Sequence, residues 1–134
     1  MSTEKSPTTL AQEAYAAFGR GDVETIVSMC ADDVIWKQIG PDGLATGGTF
    51  QGKAAVGQWF ANLGAMDDVR QFEPRQFFEG PGHCTAVGSY RAADRKTGIE
   101  FSTDWIHLFE LKNGKLARWT GALDTDARTR SART

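Results

Sequence analysis

His107 stands between Trp105 and Phe109 in the run DWIHLFELKNGKLARWTGALD, which extends from Asp104 to Asp124 and ends on a carboxylate. An imidazole with an ordinary pKa of about 6.5 is the side chain best matched to moving a proton at neutral pH. His107 is therefore either a general acid or base lining a cavity or a neutral, hydrogen-bonded histidine packed into a core. Asp124 is open to two roles as well: an acid/base partner for His107, or a cap for the segment that follows it. Trp36, Trp105 and Trp119 are core packing or the walls of a ligand site. Gln38 shares a strand side with Trp36 and would offer an amide N–H to a ligand oxygen.

Other chemistry-bearing residues carry less. Asp32 and Asp33 resemble a paired-carboxylate site, but a pair placed just before a strand more simply caps or solvates a turn. His83, on the turn GPGHC, has no acid cluster beside it and reads as exposed. Gly47 and Gly48 would permit a mobile loop over a pocket mouth, yet without a following Lys-Ser/Thr they make no phosphate cradle. Cys30 and Cys84 have neither CxxC spacing nor histidines at zinc-finger intervals, so no metal site is expected and both read as small buried hydrophobes.

These residues must be positioned by one domain. A chain of 134 residues, 40% hydrophobic and 24% charged, is long enough to fold alone and bury roughly two-thirds of its unfolded surface. Its formal net charge of -2 provides no basic excess to hold a phosphate backbone, which argues against nucleic acid as a partner. The opening MSTEKSPTTL has no apolar h-region, and no apolar run approaches the roughly 18 residues of a membrane span. A reducing cytoplasm is the expected setting for the two thiols.

Helical periodicity comes first along the chain. In TTLAQEAYAAFGRGD, Leu10, Ala11, Ala14, Tyr15 and Phe18 share one face, with Thr9 and Gln12 spaced as a capping box. Asp22 can cap a second short helix carrying Val23, Ile26, Val27 and Cys30. ADDVIWKQIG reads as a strand, GPDGLATGGTFQG as a loop, and the stretch from about Lys53 to Met66 as a third helix aligning Val56, Trp59, Phe60 and Leu63. From Val69 onward four strands follow: VRQFEPRQFFEG, HCTAVGSYRAA, GIEFSTDWIHLFEL and KLARWTGALD, the last two joined by a KNG turn. Residues 1–8 and 128–134 are expected to be disordered tails, the Arg/Thr-rich segment TDARTRSART reading as frayed or weakly helical. Helices followed by an antiparallel meander predict an α+β domain with three N-terminal helices packed on a curved sheet.

Alternation along the strands places Phe101, Thr103, Trp105, His107 and Phe109 on one face, with Trp119, Gly121 and Leu123 beside them. A pocket closed by the helices is expected on that side. The opposite face is half apolar, with Ile106, Leu108, Leu116 and Ala122 grouped there, which predicts a homodimer built on it.

Three segments, AYAAFGRGDVETIVSMCADDVIW, FQGKAAVGQWFANL and TGIEFSTDWIHLFELKNGKLARWTGALDT, together resemble the SnoaL-like branch of the NTF2-like superfamily, which includes ketosteroid isomerases and polyketide cyclases. The resemblance runs from about Leu10 to Ala127. It rests on Gly-Asp after the first helix, Asp-Asp before the first strand, Gly-Lys opening the third helix, and an Asn-Gly-Lys turn before a final strand ending in Asp-Thr. It implies a cone, or cystatin-like roll, of mostly antiparallel sheet around an apolar pocket, usually dimeric and without metal or organic cofactor. It also places Gln38 where ketosteroid isomerases carry an Asp base, and His107 where they carry a protonated Asp. Their oxyanion-hole Tyr matches Ala14, with Tyr15 one step and about 100° around the helix. An amide cannot accept and return a proton, so steroid isomerisation is disfavoured. Of the Asp-Arg-Asp set of limonene-type epoxide hydrolases only Asp124 matches; the partner positions fall near Arg91 and Ser89. The acid/base pair of SnoaL-type cyclases could be filled by His107 with Asp124.

The expectation from the sequence is a cofactor-independent isomerase, cyclase or hydrolase acting by acid/base chemistry on a small, apolar, carbonyl-bearing molecule. His107 and Asp124 would be its catalytic groups, and Tyr15, Trp36, Gln38, Trp59, Phe60, Trp105 and Trp119 its binding surface. The competing expectation is a non-catalytic binding protein using the same pocket. A third is a dimerisation module with only a small cavity. One fold hosts all of these, so the site must decide.

Overall fold

The computed structural model describes residues 5–40 and 44–132. Helices α1 (Pro7–Gly19) and α2 (Val23–Met29) form the opening hairpin, followed by β1 (Cys30–Ile39), β2 (Gly48–Gln51) and α3 (Lys53–Met66). Four long strands, β3 (Asp67–Gly80), β4 (His83–Asp94), β5 (Glu100–Lys112) and β6 (Lys115–Leu123), lead to a terminal α4 (Thr125–Ser131). All strands belong to one sheet in the order β2-β1-β6-β5-β4-β3. Its pairs are antiparallel except β1 with β6, which run parallel. This is the α+β architecture expected from the sequence. Leu10 and Ala14 of α1 and Val56 and Trp59 of α3 share one core with Trp36, Trp105, Phe109 and Trp119 of the sheet. Among the described residues no helix is long and apolar enough to cross a membrane.

Local chemistry explains most boundaries. Asp22 caps α2 as expected, its carboxylate accepting from the Thr25 N–H at 3.1 Å. The cap of α1 is Ser6 rather than Thr9: its hydroxyl accepts from the Thr9 N–H at 3.1 Å, and Pro7 occupies the first turn, where no intrahelical N–H is required. The expected N-terminal tail is thus helical from Pro7. Between β5 and β6, Asn113 and Gly114 both adopt positive φ, 53° and 76°, the pairing a tight hairpin with the twist of its strands demands. Gly48–Gln51, expected within a loop, forms an edge strand on β1. Four residues bearing no apolar alternation leave little to distinguish such a strand from a turn. The expected loop's Pro41, Asp42 and Gly43 lie outside the described residues, as do 1–4 and 133–134 of the expected tails.

Two further expectations are corrected. Leu116 is not on the outer face: a register shift between Glu110 and Leu111 turns it inward, where it is fully buried. Residues 128–131 are helical rather than disordered: they belong to α4, which docks on the sheet with Arg128 and Ser131 buried.

Candidate functional site

The helix-covered side of the sheet retains a cavity of about 80 Å³. Since roughly 10–15 Å³ of such volume holds one water, the space suits several waters or a small organic molecule. Strand register builds its walls. Trp36 and Trp119 are partners across the parallel β1–β6 pair, so their indoles stack at 4.3 Å and 15°. Trp59 of α3 closes over both, 5.5 Å and 5.3 Å away. Two glycines make room for these rings. Gly88 lies opposite Trp105 and Gly121 opposite His107. A Cβ at position 88 would collide with the Trp105 indole and the Glu73 carbonyl, and one at 121 with Trp119 and the Gln38 amide oxygen.

His107 points into this cavity from the middle of β5. Its ring lies 4.2 Å from Trp105 and 4.7 Å from Trp119, and Nδ1 is 2.8 Å from the Tyr15 hydroxyl. Tyr15, one position beyond the residue that matches the isomerase tyrosine, is the α1 side chain that reaches the imidazole. Burial pushes the His107 pKa down to about 3. Burial, followed by the Cys84 thiol, carries the Tyr15 phenol above its ordinary range. Both groups are therefore uncharged at neutral pH. The phenol can donate to Nδ1 and leave Nε2–H as a donor, or accept a hydrogen bond from Nδ1 and keep Nε2 as an acceptor. In either tautomer the pair offers directed hydrogen bonding, not a stored proton. The Trp36 indole N–H is also buried on this wall and has no acceptor among the described residues.

A second polar cluster lines the same cavity. Arg128 of α4 reaches Asp67 at 2.7 Å and Asp94 at 2.9 Å, with its side chain only 4% exposed. The Tyr90 hydroxyl donates to Asp67 Oδ2 at 2.6 Å, and the guanidinium lies 5.1 Å over the Phe101 ring. Burial raises the Asp67 carboxyl above the usual aspartate range, against the lowering influence of Tyr90 and Arg128. For Asp94, burial acts in the same direction but is outweighed by the Thr97 N–H, Arg128 and the Lys96 N–H, so its pKa is lowered.

Tyr15, Trp36, Gln38, Trp59, Phe60, Trp105, His107 and Trp119 all line the cavity. Asp124 does not. It is exposed and caps α4, accepting from the N–H groups of Asp126 at 3.0 Å and Ala127 at 3.2 Å, so its pairing with His107 is corrected. Asp32 is an exposed partner of Lys53, and His83 donates to the Pro81 carbonyl on the surface. Arg91 is exposed near Glu100, and Ser89 serves through its carbonyl, which accepts from Trp105 Nε1 at 2.9 Å. An Asp-Arg-Asp set does form, but from Asp67, Arg128 and Asp94. Among the described residues no group of His, Cys, Asp and Glu side chains is arranged to hold a metal ion.

The comparisons agree with this α+β architecture of helices packed on a six-stranded sheet. The SnoaL-like domain model matches residues 11–119, and the chain belongs to that family. An NTF2-like protein from Burkholderia xenovorans LB400 is 23% identical, with a TM-score of 0.86 over 98% of each chain. A protein with a cystatin-like fold from Xanthomonas campestris is 18% identical, with a TM-score of 0.82 over 92% of this chain and 95% of that one. TerC, crystallised with polyporic acid, is 24% identical, with a TM-score of 0.79 over 93% of this chain and 96% of that one. No curated protein sequence matches. At these identities the structural neighbours establish the fold alone.

Proposed function

We propose that the chain binds and transforms a small, largely apolar, carbonyl-bearing molecule, as a cofactor-independent isomerase, cyclase or hydrolase. The observation that carries this reading is the 2.8 Å contact between Tyr15 and His107, aimed into a cavity whose nearest walls are the rings of Trp105, Trp119, Phe72 and Phe109. A neutral donor pair in an apolar site polarises a carbonyl, because its dipoles are fixed and water does not compete. Gln38 and the unpartnered Trp36 N–H would provide further donors. TerC, which shares this fold, was co-crystallised with polyporic acid, and that supports a small organic ligand here. Conversion of a β,γ-unsaturated ketosteroid is not expected, because Gln38 cannot carry the proton between carbons.

A two-ring aryl ketone, acetonaphthone, and its hydrocarbon counterpart, ethylnaphthalene, test the carbonyl requirement by calorimetry. The ketone should bind more tightly, and Tyr15→Phe should weaken it about fivefold or more while leaving the hydrocarbon unaffected. Equal affinities for both compounds would eliminate the carbonyl reading. The second reading, a non-catalytic binding protein, is favoured by the neutrality of His107 at working pH. Turnover of any carbonyl substrate that disappears in His107→Leu would exclude it.

The outer sheet face supports a homodimer. Ile106 is 53% exposed there, and Phe78, 55% exposed, extends the patch through the row Phe78–Thr85–Leu108. Ile106→Lys should dissociate the dimer in sedimentation, since it would place a charge in a buried apolar contact. Sedimentation of the unchanged protein as a monomer at micromolar concentration would end the dimer proposal. The two free, buried cysteines fit the reducing cytoplasm proposed for this chain.

A further inference from the structure

α4 is attached to the sheet differently from the other helices that cover the cavity. α1 buries Leu10, Ala11, Ala14 and Ala17, and α3 buries Val56 and Trp59, so lifting either would expose the hydrophobic core. α4 has seven residues, too few to hold a helix by themselves, and among its described side chains the buried apolar contribution is Ala127. Its other ties are to polar or cationic groups. Arg128 reaches Asp67 and Asp94 and lies over the Phe101 ring, and the Thr97 hydroxyl donates to the Ser131 carbonyl at 2.6 Å.

We infer that α4 is a hinged door to the cavity, which swings out at Asp124 while the sheet and the other helices stay folded. Leu123 and Arg128 both line the cavity, so displacement of α4 takes the Arg128 side chain out of the wall and opens that end to solvent. The Asp124 carboxylate accepts from the N–H groups of Asp126 and Ala127, which lets the helix leave with its first turn still capped. Electrostatics keep the cost of opening low. In the closed state two carboxylates share one guanidinium; Arg128 Nε has no hydrogen-bond partner among the described residues, and Asp67 Oδ1 has only the ion contact with Nη2 at 2.7 Å. Charges buried in this way recover in water much of what they lose in mutual attraction, because each is rehydrated as the pair separates. Opening of α4 is therefore distinct from global unfolding, which must expose the indoles and leucines of the core as well. The door would admit any occupant of the cavity, carbonyl-bearing or not.

Hydrogen exchange followed by NMR tests the door on the unmodified chain without a ligand. The Trp36 indole N–H is the reporter of the cavity, since it lines the space, is buried and has no acceptor among the described residues. The α4 amides and this indole proton should report one shared opening. That opening should be at least about a hundredfold more populated than the one that frees the β5 amides, and should respond to urea far less. Thr97→Val removes the tie to Ser131 without altering a residue of the cavity wall, and should raise the shared opening by about three- to tenfold, as loss of one hydrogen bond does. Exchange of the α4 amides only together with those of β5 would show that α4 has no motion of its own. An indole proton that exchanges faster than the α4 amides, or that keeps its rate in Thr97→Val, would show that solvent enters elsewhere. Each of these results overturns the door, and where Thr97→Val does not fold the three sets of protons in the parent still decide.

Discussion

Arg128→Leu should cost the protein about 3–5 kcal/mol at neutral pH, measured by urea unfolding, although the residue lies close to the C-terminus. The guanidinium is the shared counter-charge of Asp67 and Asp94, all three nearly inaccessible to water. Removing it leaves two carboxylates buried without a cation. Their pKa values must then rise in the folded state, and a carboxyl with a raised folded pKa stabilises the fold below its unfolded pKa and loses that contribution as pH increases. The deficit of Arg128→Leu relative to the parent should therefore shrink as pH is lowered from 7 towards 4. Replacing Asp67 and Asp94 as well with apolar side chains of similar volume should recover much of the loss, because the penalty comes from stranded charge. A variant that unfolds with the parent at every pH would show that α4 does not hold the sheet.

Acidification should destabilise the unmodified protein through His107. The unfolded imidazole takes up a proton near pH 6.5, whereas the folded one, desolvated among Trp105, Trp119 and Tyr15, does so only at about 3. The pKa is lowered in the folded state, so the unfolded chain binds more protons across that interval and stability falls as pH falls. The loss attributable to this residue should reach about 2 kcal/mol at pH 5 and continue to grow towards the folded pKa. His107→Gln retains a hydrogen-bonding side chain without the ionisation. Its unfolding free energy should change less between pH 7 and 5 than the parent's, by about that amount. Parallel stability curves for the two proteins would place His107 in contact with bulk water.

The sequence predicted elements and strand faces well because those depend on local periodicity. Alternation put Trp105, His107 and Phe109 on the covered face, and the structure has them there. The capping chemistry of Asp22 and the KNG turn were equally local. Leu116 was misplaced because one shift of register inverts every side chain beyond it, and nothing in LKNGKL announces the shift. The cluster at Asp67 was missed for another reason: its three charged members come from a helix–strand junction, a turn-like AADRK and an apparent tail. Only the fold brings them together. A faint signal existed in Ala127, Arg128 and Ser131, which share one face of a segment already capped by Asp124.

The parallel pairing of β1 with β6 has a consequence for how the protein is made. Trp36 leaves the ribosome well before its stacking partner Trp119, which follows only after α3 and the strands β3 to β5 have been synthesised. Until then the first strand has no neighbour on one edge, and the aromatic surface that becomes the cavity wall faces water. The closing contact is among the most distant in the chain, so a long loop must be ordered before any stabilisation returns, which makes completion slow. Arg128, the cation that pairs with Asp67 and Asp94, follows Trp119 off the ribosome. A nascent chain stalled before β6 therefore displays an unpaired strand and a row of indoles, the surface on which half-made chains aggregate and chaperones act.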